Sequence, residues 1–295
     1  MKTILVFTDF SKKADHAAEY ALNLAYKLQA DILLYNAFTM ENVTLKQKFT
    51  WALEDFFGIE DESKKQLKEL AELYKQKVEE NTTEKFKPQI KYLSRPGNVG
   101  NLGSTLKDIP DAKKIWLIVM GAKTDDCLSN FIFGTNAYSV ISEATCPVLF
   151  VPREAPVKDL TRIAIATDLK SPELSPLRFL KDFKKAYNLE IILAHVFVNK
   201  QRKQYSEAGL VELELYDVTE DIEYPKVLFQ NIHGTDVDED LKQYALKSKI
   251  DILGVIHRRE NVFHRLFHSS TTQLLIDSAQ LPLLVFPESM KKISV

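Results

Sequence analysis

The chain is poor in cysteine, with only Cys127 and Cys146 among its 295 residues. A structural zinc site takes about four ligands, and neither cysteine stands in a Cys-rich or His-rich spacing. A single disulfide is open to the pair only if geometry permits, and so few cysteines fit a reducing compartment. Long apolar runs are absent too, since none approaches the roughly 18 residues that would span a bilayer. The opening MKTILVFTDF has an apolar run of only about five residues before Asp9, too short for a secretory signal. No excess of one charge exists either: 39 Lys and Arg face 41 Asp and Glu, for a net charge of −2. Nucleic acid is therefore not expected as a general partner. The chain is read as cytoplasmic, with neither a membrane nor a nucleic acid as partner.

Several catalytic signatures are missing. There is no Gly-x4-Gly-Lys-Ser/Thr phosphate loop, no Gly-x-Ser-x-Gly nucleophile elbow and no His-Glu-x2-His pair. Asp9 and Asp168 could act as bases, but no nucleophile is paired with either. Cys127 is read as a plain loop residue and His195 as a satisfied core histidine. No catalytic residue is assigned, and the chain is read as a non-enzyme.

What is present is ordinary globular composition, with 45% hydrophobic and 27% charged residues. This excludes a disordered or collagen-like chain. At roughly 100–200 residues per domain, the length suggests two domains or one large one. An internal repeat decides for two. The segment KTILVFTDFSKKADHAAEYALNLAYKLQADILLYNAF resembles TRIAIATDLKSPELSPLRFLKDFKKAYNLEIILAHVFV at 161–198. Each holds an apolar run, Thr-Asp, a helix-period segment and a second apolar run. Cys146-Pro147-Val148-Leu149-Phe150-Val151-Pro152 likewise parallels Leu281-Pro282-Leu283-Leu284-Val285-Phe286-Pro287, at a constant offset of 135 residues. Residues 1–152 carry 19 Lys and Arg against 20 Asp and Glu, so each half nets −1. The domains are read as 1–152 and 161–290, with Arg153–Leu160 as linker.

Strands and helices alternate in each half, which implies a parallel sheet covered on both faces. In the first half Thr3–Phe7 reads as a strand and 13–29 as a helix capped by Ser11. Asp31–Ala37 reads as a strand, followed by an aromatic insertion at 38–59. Glu60–Glu80 then reads as a charged helix with Leu67, Leu70, Leu73, Tyr74 and Val78 inside. Gln89–Ser94, Ile115–Met120 and Val148–Val151 read as strands, Asn98–Leu106 and Asn136–Ser142 as helices. In the second half Glu207–Asp221 and Asp236–Lys247 read as helices, Lys226–Ile232 and Ile250–Ile256 as strands. Ligands of such sheets bind beyond the carboxyl ends of the strands, near the switch point. Phe7–Ser11, Tyr35–Ala37 and the segment from Met120-Gly121 to Gly134-Thr135-Asn136 lie at that end. Backbone N–H groups at a helix N-terminus favour a phosphate there.

The strand-Thr-Asp-x-Ser opening resembles the universal stress protein family. So do the spacing Gly121-x2-Thr124-x9-Gly134-Thr135 and the Cys-Pro-Val-Leu-Phe-Val-Pro ending. The resemblance covers nearly the whole chain, as two tandem copies. It implies an α/β class of two tandem open parallel-sheet domains, Rossmann-like and similar to adenine-nucleotide alpha hydrolases, with helices on both faces. It implies a stress-response or regulatory module that binds ATP or AMP in the first domain. Carried over by position, Gly121, Gly134 and Thr135 contact phosphate and ribose, and Asn136 follows with a backbone contact. Thr8 and Asp9 face the nucleotide, Asn36 lies near the adenine, and Met120 precedes the glycine loop. Thr124 replaces the family's second glycine, where its hydroxyl could donate to a phosphate. The resemblance also implies that Val148–Val151 and Leu283–Phe286 pair, giving an intramolecular pseudo-dimer, with a homodimer left open.

At the 135-residue offset the three loop positions of the second half become Ile256, Arg259 and Ser269, so the glycine loop is gone. His257–Ser270 holds three of the chain's six histidines and three arginines. It is read first as a solvated or partner-facing loop. An anion site on Arg258, Arg259, Ser269 and Ser270 is a second reading, a histidine pH switch a third. His264 and His268 stand at i,i+4, but no completing ligand is spaced for them, so no metal is predicted. A nucleotide-independent interaction scaffold is the alternative function.

Overall fold

Ile4, Leu5 and Val6 are wholly buried in the first strand, β1 (Lys2–Phe7), as a run without polar alternation requires. The structure is a computed structural model describing residues 1–38, 49–97, 100–122, 135–167, 174–198, 227–257 and 281–292. The described residues up to Arg153 form one compact unit and those from Glu154 onward a second.

In the first unit β1 leads to helix α1 (Lys12–Leu28), β2 (Ala30–Phe38), helix α2 (Phe49–Glu80) and β3 (Ile90–Pro96). Then follow a 3-10 helix (Leu102–Asp108), β4 (Ile115–Gly121), α3 (Thr135–Glu143) and β5 (Val148–Val151). The strand order is β3-β2-β1-β4-β5, with every neighbour parallel. Ser11 caps α1 by accepting from Ala14 N, and the helix buries Ala14, Ala17, Ala18, Ala21 and Ala25. Such small residues let α1 lie close to the sheet. Tyr74 of α2 donates its hydroxyl to the Asp15 carbonyl at 3.2 Å, which sets α2 beside α1. Burial pushes the Tyr74 hydroxyl well above the usual tyrosine range.

The second unit repeats the plan with β6 (Arg162–Ala166), α4 (Leu174–Tyr187), β7 (Glu190–Val198) and β8 (Val227–Gly234). Helix α5 (Val237–Lys247), β9 (Ile252–Ile256) and β10 (Leu283–Phe286) complete it. Its order, β10-β9-β6-β7-β8, is again parallel throughout. The fold is therefore α/β in each unit, with the same strand order in both.

Three expectations are corrected. Helix α2 starts at Phe49, not at Glu60, and takes up half of the supposed aromatic insertion. The stretch holds no proline, and a lone glycine, Gly58, weakens a helix by only about 1 kcal/mol. Leu73 is 48% exposed, because the inward stripe runs through Ser63, Leu67, Ala71, Tyr74 and Val78. The helix expected at Asn98–Leu106 is a 3-10 helix at Leu102–Asp108. Gly103 lies so close to α3 that a Cβ there would fall on the Ser139 carbonyl. Its backbone N–H donates instead to Ser139 Oγ at 2.9 Å. The helix expected at Glu207–Asp221 lies outside the described residues.

Candidate functional site

From β1 the first unit builds outward through β2 and β3, then returns on the other side of β1 with β4 and β5. The switch point therefore falls between β1 and β4, and ligands of such sheets bind beyond the carboxyl ends of the strands at that place. Thr8 to Ser11 leave β1 at this place, and Gly121 is the last residue of β4.

The turn after β1 is tightly specified. Thr8 N donates to the Tyr35 carbonyl at 2.9 Å, continuing the ladder to β2. Thr8 Oγ1 accepts from Phe10 N at 3.0 Å, and Asp9 Oδ1 accepts from Ser11 N at 3.1 Å and from the Ser11 hydroxyl. Phe10 has φ 59°, a left-handed conformation that a bulky side chain rarely adopts. Such outliers persist where the surroundings over-determine them, and they cluster at functional sites. The Asp9 side chain is 61% exposed and lies 3.7 Å from Lys13 Nζ. Partial burial pushes its pKa up, but the two Ser11 hydrogen bonds and Lys13 outweigh this and hold it below the usual range. Asp9 is thus an ionised acceptor at neutral pH.

Gly121 is fixed by packing. A Cβ there would lie 2.9 Å from the Lys13 carbonyl oxygen and 3.2 Å from Ala14 N. Its absence lets the first turn of α1 press against the end of β4. Met120, one residue earlier, is buried. Thr135 and Asn136 open α3 and are exposed. Asn136 Oδ1 accepts from Leu102 N at 3.3 Å, and Gly100, at φ 74°, makes room for the Thr135 hydroxyl. Asn36 is 7% exposed and bonded on both sides of its amide, to the Thr8 carbonyl and to Ser63 of α2.

The structure therefore bonds Asn36 to Thr8, ties Asp9 to Ser11 in the turn that follows and sets Gly121 against α1. Thr135 and Asn136 belong to a second group with Gly100 and Leu102. Thr124 and Gly134 lie outside the described residues, as do Asp168, Cys127, Arg258, Arg259, His264, His268, Ser269 and Ser270. Sequence reasoning missed Ser63 and Ser94. The one legible signal was a serine on the stripe that α2 otherwise fills with Leu67, Ala71 and Tyr74.

The second unit repeats the frame with different side chains. Phe7 pairs with Tyr35 and Ala166 with Ala194, so Thr167 matches Thr8 and His195 matches Asn36. Thr167 N donates to the Ala194 carbonyl at 3.0 Å, and His195 Nδ1 bonds to the Thr167 carbonyl at 2.7 Å. His195, within β7, is thus a satisfied histidine. Ile256, opposite Phe286, takes the place that Gly121 holds opposite Val151.

Among the described residues no group of three or more His, Cys, Asp or Glu could hold a metal. Cys146 is a buried free thiol, its pKa pushed up to about 12 by burial, and so is no nucleophile at neutral pH. No helix among the described residues is long and apolar enough to cross a membrane.

A model of the universal stress protein family matches residues 1–152, just over half of the chain. The chain belongs to the universal stress protein family. A universal stress protein of Methanocaldococcus jannaschii is 28% identical over 155 residues, 52% of this chain and 82% of that relative. The crystal structure of a universal stress protein from Archaeoglobus fulgidus aligns with a TM-score of 0.67 at 15% identity. The alignment covers 97% of this chain and 98% of that one. A functionally unknown protein from Pseudomonas aeruginosa aligns with a TM-score of 0.58 at 12% identity, over 99% of this chain and 95% of its own. These two likenesses extend over both units of this universal stress protein, and at such identity they speak for the fold. The closeness of Gly121 to α1 gives the physical reason for a glycine at the end of β4.

Proposed function

We propose that this universal stress protein is a stress-response or regulatory module whose N-terminal crevice binds an adenine nucleotide, ATP or AMP, without efficient turnover. The observation that carries the reading is the meeting of Asp9, the capped first turn of α1 and Gly121 at the switch point between β1 and β4. An exposed, ionised carboxylate suits the hydroxyls of a ribose or the amino group of a base. Exposed Thr135 and Asn136, in the first turn of α3, supply a hydroxyl and helix N-terminal amides of the kind that hold phosphate. These residues fit a nucleotide. Efficient catalysis is not part of the reading, because the hydroxyl beside Asp9 is that of Ser11, which is engaged in capping α1. The protein is placed in the cytoplasm, with neither nucleic acid nor membrane as partner.

Titration calorimetry with ATP and AMP tests the proposal. Binding that Gly134→Trp abolishes is the expected result. No heat at millimolar nucleotide, or binding indifferent to Gly134→Trp, overturns it. The second reading, a nucleotide-independent scaffold, is favoured by one observation: the side-chain oxygens of Asn36 and Asn136 already serve partners within the protein. A folded chain that binds no nucleotide supports that reading. We propose further that 1–152 and 161–290 are the domains and that β5 and β10 pair to make an intramolecular pseudo-dimer, which could itself dimerise. Disulfide trapping between cysteines introduced into β5 and β10 tests the pairing, and light scattering tests the dimer.

A further inference from the structure

The family resemblance implies that Asn36 lies near an adenine, and its amide is engaged within the protein. A backbone carbonyl can only accept, so the 2.7 Å contact with the Thr8 carbonyl makes Asn36 Nδ2 the donor. Asn36 Oδ1 must then accept, and Ser63 Oγ donates to it at 2.8 Å. With its one proton committed, Ser63 accepts from Ser94 Oγ at 2.7 Å. The four residues are 5–7% exposed. Every donor in the relay points the same way: from β3, through α2 and β2, to the carbonyl at the end of β1. Buried amides and hydroxyls are costly unless bonded, and aligned bonds polarise one another.

The same carbonyl is held in the second unit by another side chain. His195 Nδ1 meets the Thr167 carbonyl at 2.7 Å, so Nδ1 carries the ring proton. An amide and an imidazole, at one register position, make one bond of one length. The contact persists while its chemistry changes, which points to the held carbonyl as the purpose.

Resting on the nucleotide reading of the crevice, we propose that Asn36 and His195 are equivalent positioning residues. Each clamps the carbonyl of the threonine that ends its unit's first strand. In the first unit Ser63 and Ser94 extend the clamp to α2 and β3, so the crevice is mechanically tied to α2. The physical link is the peptide plane. The Thr8 carbonyl and the Asp9 N–H belong to one rigid unit, so holding the oxygen fixes the orientation in which Asp9 leaves the strand. The next residue, Phe10, is held in its strained left-handed conformation partly from this fixed start. Ser63 reports the position of α2 to that turn. Asn36 is on this account no reader of the base; it sets the residue that is.

The experiment uses the full chain with three variants. Asn36→Leu keeps the branched shape and removes the donor, Ser63→Ala cuts the tie to α2, and Asn36→His with Ser63→Gly carries the second unit's ring into the first. Amide exchange at residues 9–11 is read beside exchange in β4, and ATP affinity is read by calorimetry. Asn36→Leu is expected to lower protection at 9–11 and ATP affinity about tenfold each, with β4 unchanged. Ser63→Ala is expected to lower both about threefold, and the histidine variant to restore protection. His195→Leu is expected to loosen the turn after β6 alone. If the wild type binds no ATP, the nucleotide reading fails, and the exchange measurements still decide the clamp. If Asn36→Leu folds with exchange at 9–11 unchanged, or loosens the whole unit equally, the clamp is overturned. Should Asn36→Leu not fold, an unchanged Ser63→Ala overturns it.

Discussion

The fourth strand of the first unit ends in Gly121, and that of the second in Ile256. Their frames agree closely. Thr8 N and Thr167 N reach the neighbouring strand at 2.9 and 3.0 Å, and Ala122 N and His257 N reach Val151 and Phe286 at 2.8 Å each. The side chains at the strand ends do not agree: glycine faces isoleucine, asparagine faces histidine. At the amino end of the fourth strand Lys2 lies over the Trp116 ring at 4.6 Å. At the matching place Thr161 and Arg162 bond to Asp251. Main-chain pairing and apolar burial thus specify the frame. A few positions at the strand ends specify what each copy can do, and they can change without disturbing it.

Exchanging those positions should break the comparison. Gly121→Ile puts a branched side chain against the Lys13 carbonyl and should cost about 3 kcal/mol, since a well-packed strand resists added volume. ATP binding should be lost with it, as α1 moves away. Ile256→Gly empties a buried site and should cost about 3–5 kcal/mol. Urea unfolding, with exchange read unit by unit, checks both. Unchanged stability in Gly121→Ile would mean that glycine at 121 does not serve the packing of α1.

A smaller effect separates the starts of the strands. The Asp251 side chain is 2% exposed and also meets Lys158 Nζ at 2.6 Å. Burial pushes its carboxyl up, but Lys158, the Thr161 and Arg162 amides and the Thr161 hydroxyl outweigh it and hold the pKa below the usual range. The folded state thus binds its proton less readily than the unfolded chain. The contribution is fully present above the unfolded value near about 4 and is lost as pH falls through the lower folded value. Asp251→Ala should cost about 2 kcal/mol at neutral pH and flatten the acid limb of the second unit's stability. An unchanged acid limb would remove Asp251 from this role.

The least effect sharpens the contrast between buried and exposed charge. Lys77 and Glu19 tie α1 to α2 at 2.6 Å, with side chains 38% and 49% exposed. Water screens such a pair, so Lys77→Ala should shift stability by about 0.5 kcal/mol or less in the same urea experiment.

Much of this frame was legible. Thr3–Phe7 and Val148–Val151 are apolar runs too short for anything but buried strands. Ser11 announced its helix, and the repeated Thr-Asp and Pro-bounded endings announced two copies. The rest depended on contacts distant in sequence. Leu102–Asp108 is a 3-10 helix because Gly103 rests on α3, which no local pattern encodes. Helix α2 overran its predicted start because the aromatic residues from Phe49 onward are as compatible with helix as with a loop. The bond from Ser63 to Asn36 was not legible, since the two residues stand 27 positions apart. The glycine pattern pointed to Gly121, but its reason, the closeness of α1, is a fact of packing.

Fourteen residues of α2 precede Ser63, from Phe49 to Glu62. At 1.5 Å per residue they extend about 21 Å. The bond from Ser63 to Asn36, and from Asn36 to the Thr8 carbonyl, therefore joins the end of the first strand to the middle of a 32-residue helix.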